Sequence, residues 1–113
     1  MKAENTKAQM KKGVLELCIL GLTAEREMYP SDIINRLKES KLIVVEGTLY
    51  PLLNRLKNAG LVGYEWRESK AGPPRKYYQI TAQGRSFLND LLINWKHLST
   101  AVDKSTQNFM ENE

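Results

Sequence analysis

Apolar residues recur at helical spacing in the first quarter of the chain, with Met10, Val14, Leu17 and Cys18 in one set and Leu15, Ile19 and Leu22 in another. The pattern predicts a helix over about residues 9–22 that is covered on more than one face, by its own domain and by a partner chain. Residues 23–29 read as a linker. Tyr29-Pro30-Ser31-Asp32 then opens a short amphipathic helix carrying Ile33, Ile34 and Leu37, since a proline in the first turn loses no helical hydrogen bond. A third helix starts near Glu46 or Thr48 and runs to Ala59, where Gly60 stops it as a C-terminal cap. Thr48 is the better cap of the two, because it leaves Pro51 within the first turn or so. Leu49, Leu52, Leu53 and Leu56 form the buried stripe of this helix, and Tyr50, Asn54, Arg55, Lys57 and Asn58 take the remaining surface.

Beyond Gly60 the period changes. Val62, Tyr64 and Trp66 alternate as in a strand, and Tyr77, Tyr78 and Ile80 mark a second strand over residues 76–80. Between them Glu68-Ser69-Lys70-Ala71-Gly72-Pro73-Pro74-Arg75 is rich in turn residues and reads as a hairpin tip or loop. Thr81 caps a final helix over about residues 82–108, with Leu88, Leu91, Trp95, Leu98 and Val102 at steps of three and four, widened by Phe87 and Leu92. A seam of that kind fits either helix-against-helix packing across a dimer or packing on its own domain. The expected architecture is mainly α with a small β-hairpin: a winged helix-turn-helix over residues 1–81, a long C-terminal dimerisation helix over 82–108 and a frayed tail over 109–113.

Composition narrows the function more than it narrows the fold. A chain of 113 residues with 42% hydrophobic and 27% charged residues has room for one folded core but not for a separate cofactor domain. The single Cys18 sits in an apolar run and excludes an internal disulfide. With no Cys/His cluster, no signal-peptide pattern and no long apolar run, the expectation is a cytoplasmic protein with no metal, no cofactor and no membrane association. The net charge of +4 is uneven: residues 28–80 hold nine basic and five acidic side chains, whereas residues 81–113 hold three and four. That excess falls on the segments expected to form the helix pair and the hairpin, which is where a polyanion would be met.

In a winged helix-turn-helix the second helix of the pair enters the major groove, so the helix beginning near Thr48 is the candidate reader of double-stranded DNA. Asn54 suits an adenine edge, Arg55 or Lys57 a guanine edge or a phosphate, and Thr48 and Tyr50 can donate to phosphate oxygens. Lys70, Arg75 and Lys76 around the hairpin supply a second contact, in the minor groove or along the backbone. Two heads related by a twofold axis match two half-sites about one helical turn apart, which makes homodimerisation part of the expected mechanism. Leu88, Leu91, Trp95, Leu98 and Val102 are the candidate interface. No residue is expected to be catalytic: the lone His97 has no cluster around it and no phosphate-binding glycine loop precedes a helix. The competing expectation is a winged-helix protein-interaction module without specific DNA readout.

The run from Glu46-Gly47-Thr48-Leu49-Tyr50-Pro51 through Gly60-Leu61-Val62, followed by Gly72-Pro73-Pro74-Arg75-Lys76-Tyr77-Tyr78 and Thr81-Ala82-Gln83-Gly84, resembles the PadR family of bacterial transcriptional regulators. Met10-Lys11-Lys12-Gly13-Val14-Leu15-Glu16 and the turn at Tyr29-Pro30 extend the likeness over nearly the whole chain. The resemblance implies a homodimeric repressor of the compact branch, with a recognition helix from near Thr48, a wing at residues 72–76 and a single C-terminal helix as the dimer arm. The wing departs from the family pattern at Pro73, where a second basic residue is more usual. In some compact relatives a tryptophan at the place of Trp95 stacks flat aromatic compounds at the dimer interface. That implies a candidate small aromatic effector site formed by Trp95, Leu91, Leu92, Met10 and Val14, beside the plainer reading in which Trp95 only packs the interface.

Overall fold

The computed structural model describes residues 1–111. Four helices and one hairpin follow in the order α1 (Ala3–Glu25), α2 (Pro30–Glu39), α3 (Glu46–Asn58), β1 (Val62–Ser69), β2 (Gly72–Ile80) and α4 (Ala82–Glu111). This is the mainly helical winged architecture with a small antiparallel hairpin and a long C-terminal helix that the sequence predicts. The core joins Leu15, Ile19 and Leu20 of α1, Ile33 and Leu37 of α2, Leu49, Leu53 and Leu56 of α3, and Val62, Tyr78 and Ile80 of the hairpin.

Local chemistry explains most of the boundaries. Pro30 is the first residue of α2, as expected. At the end of α3, Gly60 takes the left-handed conformation with φ 78°. The Leu61 N–H then donates to the Leu56 carbonyl at 2.9 Å and the Gly60 N–H to that of Lys57 at 3.0 Å, a Schellman ending that satisfies carbonyls the helix leaves free. The same ending closes α2 without a glycine. Lys41 has φ 67°, and the Leu42 N–H reaches the Leu37 carbonyl at 2.8 Å. Thr81 caps α4 as expected: its Oγ1 accepts the Gly84 N–H at 2.9 Å and donates to the Gly60 carbonyl at 2.7 Å.

Five expectations about extent need correction. α1 begins at Ala3 and continues through Glu25, so the segment read as a linker is partly helix. Buried Thr23 stays inside it by donating its hydroxyl to the Ile19 carbonyl at 3.0 Å. The remainder of that segment is not loose either: Met28 is buried and exchanges backbone hydrogen bonds with Tyr78 at 3.0 and 2.7 Å, adding a one-residue third strand to the hairpin. α3 begins at Glu46, with Val45 before it and no side-chain cap, and Pro51 lies inside the helix. Thr48 is therefore a helical residue and not the cap. The segment 68–75 is mostly strand, because β1 runs through Ser69 and β2 starts at Gly72. Only Lys70 and Ala71 turn the chain, and the register Arg67↔Arg75 and Ser69↔Gly72 contains one irregularity. The two prolines are tolerated because both fall at that irregularity, where neither has a partner in the register. Finally, α4 is helical through Glu111, including residues 109–111 of the expected frayed tail; the rest of that tail, 112–113, lies outside the described residues.

α4 leaves the core partway along its length. Leu88 and Leu91 pack against the core, whereas Leu92, Ile93, Trp95, Leu98, Val102, Phe109 and Met110 are exposed. At 1.5 Å per residue a helix of 30 residues spans about 45 Å. It accounts for a radius of gyration of 16.5 Å against about 13 Å for a compact chain of similar length.

Candidate nucleic-acid interface

The buried leucines of α3 fix which of its side chains face outward. Thr48, Tyr50, Asn54, Arg55 and Lys57 are all exposed, but helix periodicity divides them among three directions. Asn54, with Asn58 one turn on, stands opposite the leucine stripe. Tyr50 and Lys57, seven residues apart, share the flank that faces the hairpin, where the Lys57 ammonium lies 5.7 Å from the ring centre of Tyr64. Thr48 and Arg55, also seven apart, share the other flank. There the Arg55 guanidinium pairs with the Glu16 carboxylate of α1. Sequence reasoning could not separate Arg55 from Lys57, because the partner that distinguishes them is 39 positions away in the chain.

The hairpin presents two chemically different faces. In the register Tyr64↔Tyr78 and Trp66↔Lys76, the face toward α3 carries Tyr64, Trp66 and Lys76. The Lys76 ammonium sits 4.5 Å from the centre of Tyr64 and 5.2 Å from that of Trp66, held by the electron-rich faces of both rings. The opposite face pairs Arg67 with Arg75, a juxtaposition of like charges that would be unfavourable if both were free. Arg67 is drawn to Glu27 at 2.5 Å, and hydrogen bonding to that carboxylate holds its guanidinium pKa above the usual range. Arg75 instead lies 4.4 Å over the ring of Tyr29, which the Met28 bridge places beside Tyr77 at 5.4 Å.

A second charge-assisted pair braces the helices beneath this surface. Arg36 of α2 donates two hydrogen bonds of 2.9 Å to the Glu25 carboxylate at the end of α1, and this bidentate contact holds Glu25 below the ordinary carboxylate range. Of the acidic groups in and beside the hairpin, Glu27 and Glu65 are engaged by Arg67, and Glu25 by Arg36. Among the described residues Lys57, Lys70, Arg75 and Lys76 have no carboxylate partner. A cleft of about 280 Å³ adjoins Arg75 and Lys76, and is bounded also by Tyr29, Pro30 and Ser31, by Tyr50 of α3, and by Trp66 and Pro74 of the hairpin. Tyr29 and Trp66 were not expected as site residues. The alternation that placed Trp66 in a strand carried no indication of which face it occupied.

The other sequence-predicted cluster forms a separate groove of about 600 Å³ between α1 and α4, lined by Met10, Val14, Trp95, Leu98 and Val102 with Gln9, Ser99 and Asp103 at its polar margin. A neighbouring hollow of about 340 Å³ brings Val14, Leu91 and Trp95 together with Glu16 and Arg55. Leu92 lines neither. No group of three or more His, Cys, Asp and Glu among the described residues could hold a metal ion, and no described helix is long and apolar enough to cross a membrane.

A helix pair whose second member presents polar side chains beside a cationic hairpin defines a winged helix-turn-helix DNA-binding protein. The sequence profile of the transcriptional regulator PadR-like family matches residues 19–90. A PadR-like transcription factor from Bacteroides fragilis is 58% identical, with a TM-score of 0.75 over 88% of this chain and 97% of its own. A PadR-like transcriptional regulator from Bacillus cereus is 38% identical, with a TM-score of 0.78 over 88% and 97%. A PadR family transcriptional regulator from Eggerthella lenta is 29% identical, with a TM-score of 0.83 over 89% and 88%. The chain belongs to the PadR-like family of transcriptional regulators. It acts through DNA binding in transcriptional regulation and is not an enzyme.

Proposed function

We propose that the chain is a sequence-specific transcriptional repressor that binds double-stranded DNA as a homodimer and is released by a flat aromatic effector. The observation that carries this reading is the outward polar face of α3, set beside hairpin cations that have no carboxylate partner among the described residues. In the proposed complex α3 enters the major groove, Asn54 reads a base edge, and Tyr50, Lys57, Lys70, Arg75 and Lys76 hold the flanking phosphates. Thr48 lies near the groove from the other flank. Arg55 reaches DNA only by leaving Glu16, so its contribution is smaller than that of Lys57. Occupying promoter DNA excludes other proteins from the same groove, which makes repression the direct consequence of binding.

The dimer reading rests on the arm. Trp95, Leu98 and Val102 keep 43%, 59% and 52% of their surface exposed in the isolated chain, an apolar stripe that marks a contact surface. Leu88 and Leu91 are largely committed to the chain's own core, so the interface is carried by the later part of the seam. The groove containing Met10, Val14 and Trp95 has the size and apolar lining of a small-molecule site. An effector there weakens DNA binding by favouring a head spacing that differs from the DNA-bound one.

The deciding experiment is fluorescence anisotropy with labelled duplexes tiling the region upstream of the gene, beside a scrambled duplex, at about 0.15 M salt. One tile is expected to bind at least about a thousandfold more tightly than the scrambled control. Lys57→Ala and Lys76→Ala should each lower the slope of affinity against salt by about one. Equal, weak binding to every duplex and to both variants refutes the reading.

A further inference from the structure

Trp66 keeps 62% of its surface exposed, an unusual place for the largest apolar side chain unless something covers it. Its environment specifies the cover. It stands edge-on to Tyr64 at 6.2 Å and 89°, beneath the ammonium of Lys76 at 5.2 Å, in the cleft shared with Tyr50, Pro74 and Arg75. An apolar plate bordered by cations that no carboxylate neutralises complements a ligand that is itself apolar in one part and anionic in the next. Duplex DNA offers that combination along each strand, as deoxyribose C–H groups between phosphates. The hairpin also tethers Trp66 to the side of α3, where the edge of the occupied groove would pass, rather than to the face that would meet base edges.

We propose that this cleft seats one strand's sugar-phosphate backbone, with Trp66 packed on a deoxyribose and Lys76 on the adjoining phosphate. The inference rests on the DNA-binding reading and deepens it. Trp66 adds affinity that does not come from counterion release, while Tyr64, the nearer ring at 4.5 Å, holds the Lys76 ammonium where the phosphate must lie. Phenylalanine keeps a flat apolar surface at this position, whereas alanine removes it.

The test compares wild type, Trp66→Ala, Trp66→Phe and Lys76→Ala on the duplex tile selected above. Trp66→Ala should weaken binding about tenfold at fixed salt, leave the salt slope unchanged and leave the dimer mass and melting temperature in place. Trp66→Phe should recover most of the loss, and only Lys76→Ala should lower the slope. Hydroxyl-radical footprinting, which reads the exposure of deoxyribose hydrogens, should show one short protected stretch per half-site that Trp66→Ala loses. Trp66→Ala binding within about twofold of wild type with its footprint intact overturns this proposal alone. A fall in slope equal to that of Lys76→Ala also overturns it, because Trp66 would then act only by positioning the ammonium. Wild-type protein that binds no tile overturns the DNA-binding reading and this proposal together.

Discussion

Replacing Gly84 by alanine tests whether the junction between hairpin and arm is as tightly built as the structure indicates. Gly84 lies in the first turn of α4, and a Cβ there would stand 2.0 Å from the Leu61 carbonyl oxygen and 2.7 Å from Ile80 Cγ1. The first neighbour is backbone and cannot rotate away. That carbonyl already accepts the Thr81 N–H at 3.0 Å and the Thr81 hydroxyl at 3.1 Å, so relieving the overlap means lifting the start of α4 off both. Losing two or three hydrogen bonds at about 1 kcal/mol each, with some loss of packing around Ile80, outweighs the gain of about 1 kcal/mol that alanine normally brings to a helix. A net loss of about 3 kcal/mol follows, a large fraction of the stability of a chain this size, with a fall in melting temperature of about 10 °C or more. Urea unfolding at fixed protein concentration measures it, the concentration being held because the proposed homodimer would make apparent stability depend on it. Gly21→Ala is the control, since a Cβ there meets nothing within 4 Å; it should be neutral or stabilising by up to about 1 kcal/mol. If Gly84→Ala unfolds within about 1 kcal/mol of wild type, the junction gives way far more easily than its hydrogen bonds imply.

Lys41→Gly should stabilise the chain by about 0.5–1 kcal/mol, because glycine adopts the left-handed end of α2 without the penalty a side chain meets there; a loss of stability in urea would mean that the Lys41 side chain compensates. Burial pushes the Cys18 thiol above its ordinary pKa, so the reactive thiolate is scarce at pH 8. Labelling with a chromogenic disulfide should therefore be at least about tenfold slower in the native protein than in urea, and equal rates would show that α1 opens readily. Leu98→Lys places a charge on the exposed part of the arm once in each subunit of the proposed homodimer, and should weaken self-association by at least about a hundredfold. Light scattering against concentration reads that change, and an unaltered dimer would move the interface elsewhere. Arg36 depresses the Glu25 pKa, so the stability contributed by that pair is present above the unfolded carboxylate value of 4.5 and is lost as pH falls through the lower folded value. Arg36→Ala should flatten the acid limb of the stability profile, and an unchanged limb would count against the pair.

The features that proved legible are those that local chemistry specifies. Pro30 at the start of α2, Gly60 after α3, Thr81 before α4 and the leucine stripe of α3 each follow from a residue whose preference acts within one turn of itself. The misjudged features depend on partners far away in the chain. Met28 belongs to a strand only because Tyr78 lies across from it. The extended hairpin looked like a loop because Gly72, Pro73 and Pro74 carry turn chemistry, yet Pro73 and Pro74 fall at the irregularity between the Arg67–Arg75 and Ser69–Gly72 pairs, where no ladder partner is lost. α3 starts without a side-chain cap and admits Pro51 in its second turn, where the hydrogen bond that proline cannot make would have gone to the carbonyl of exposed Gly47.

The same distinction separates the surfaces. Periodicity assigns the exposed face of α3 correctly but treats Arg55 and Lys57 as equivalents; only the third dimension shows one directed at α1 and the other at the hairpin. Along α4 the seam reads as one continuous interface, although the core takes Leu88 and Leu91 and leaves Trp95, Leu98 and Val102 outside. α1 divides in the same way, with Leu15 and Ile19 in the core and Met10 and Val14 against the groove that contains Trp95. The two helices thus each spend one end or face on the head and leave the other apolar and uncovered. Those uncovered parts adjoin one another, and Glu16, which lines the neighbouring hollow together with Val14 and Trp95, pairs with Arg55 of α3. α3 and the apolar surface between α1 and α4 are consequently joined by one helix and one ion pair, a connection formed by residues that no single stretch of sequence contains.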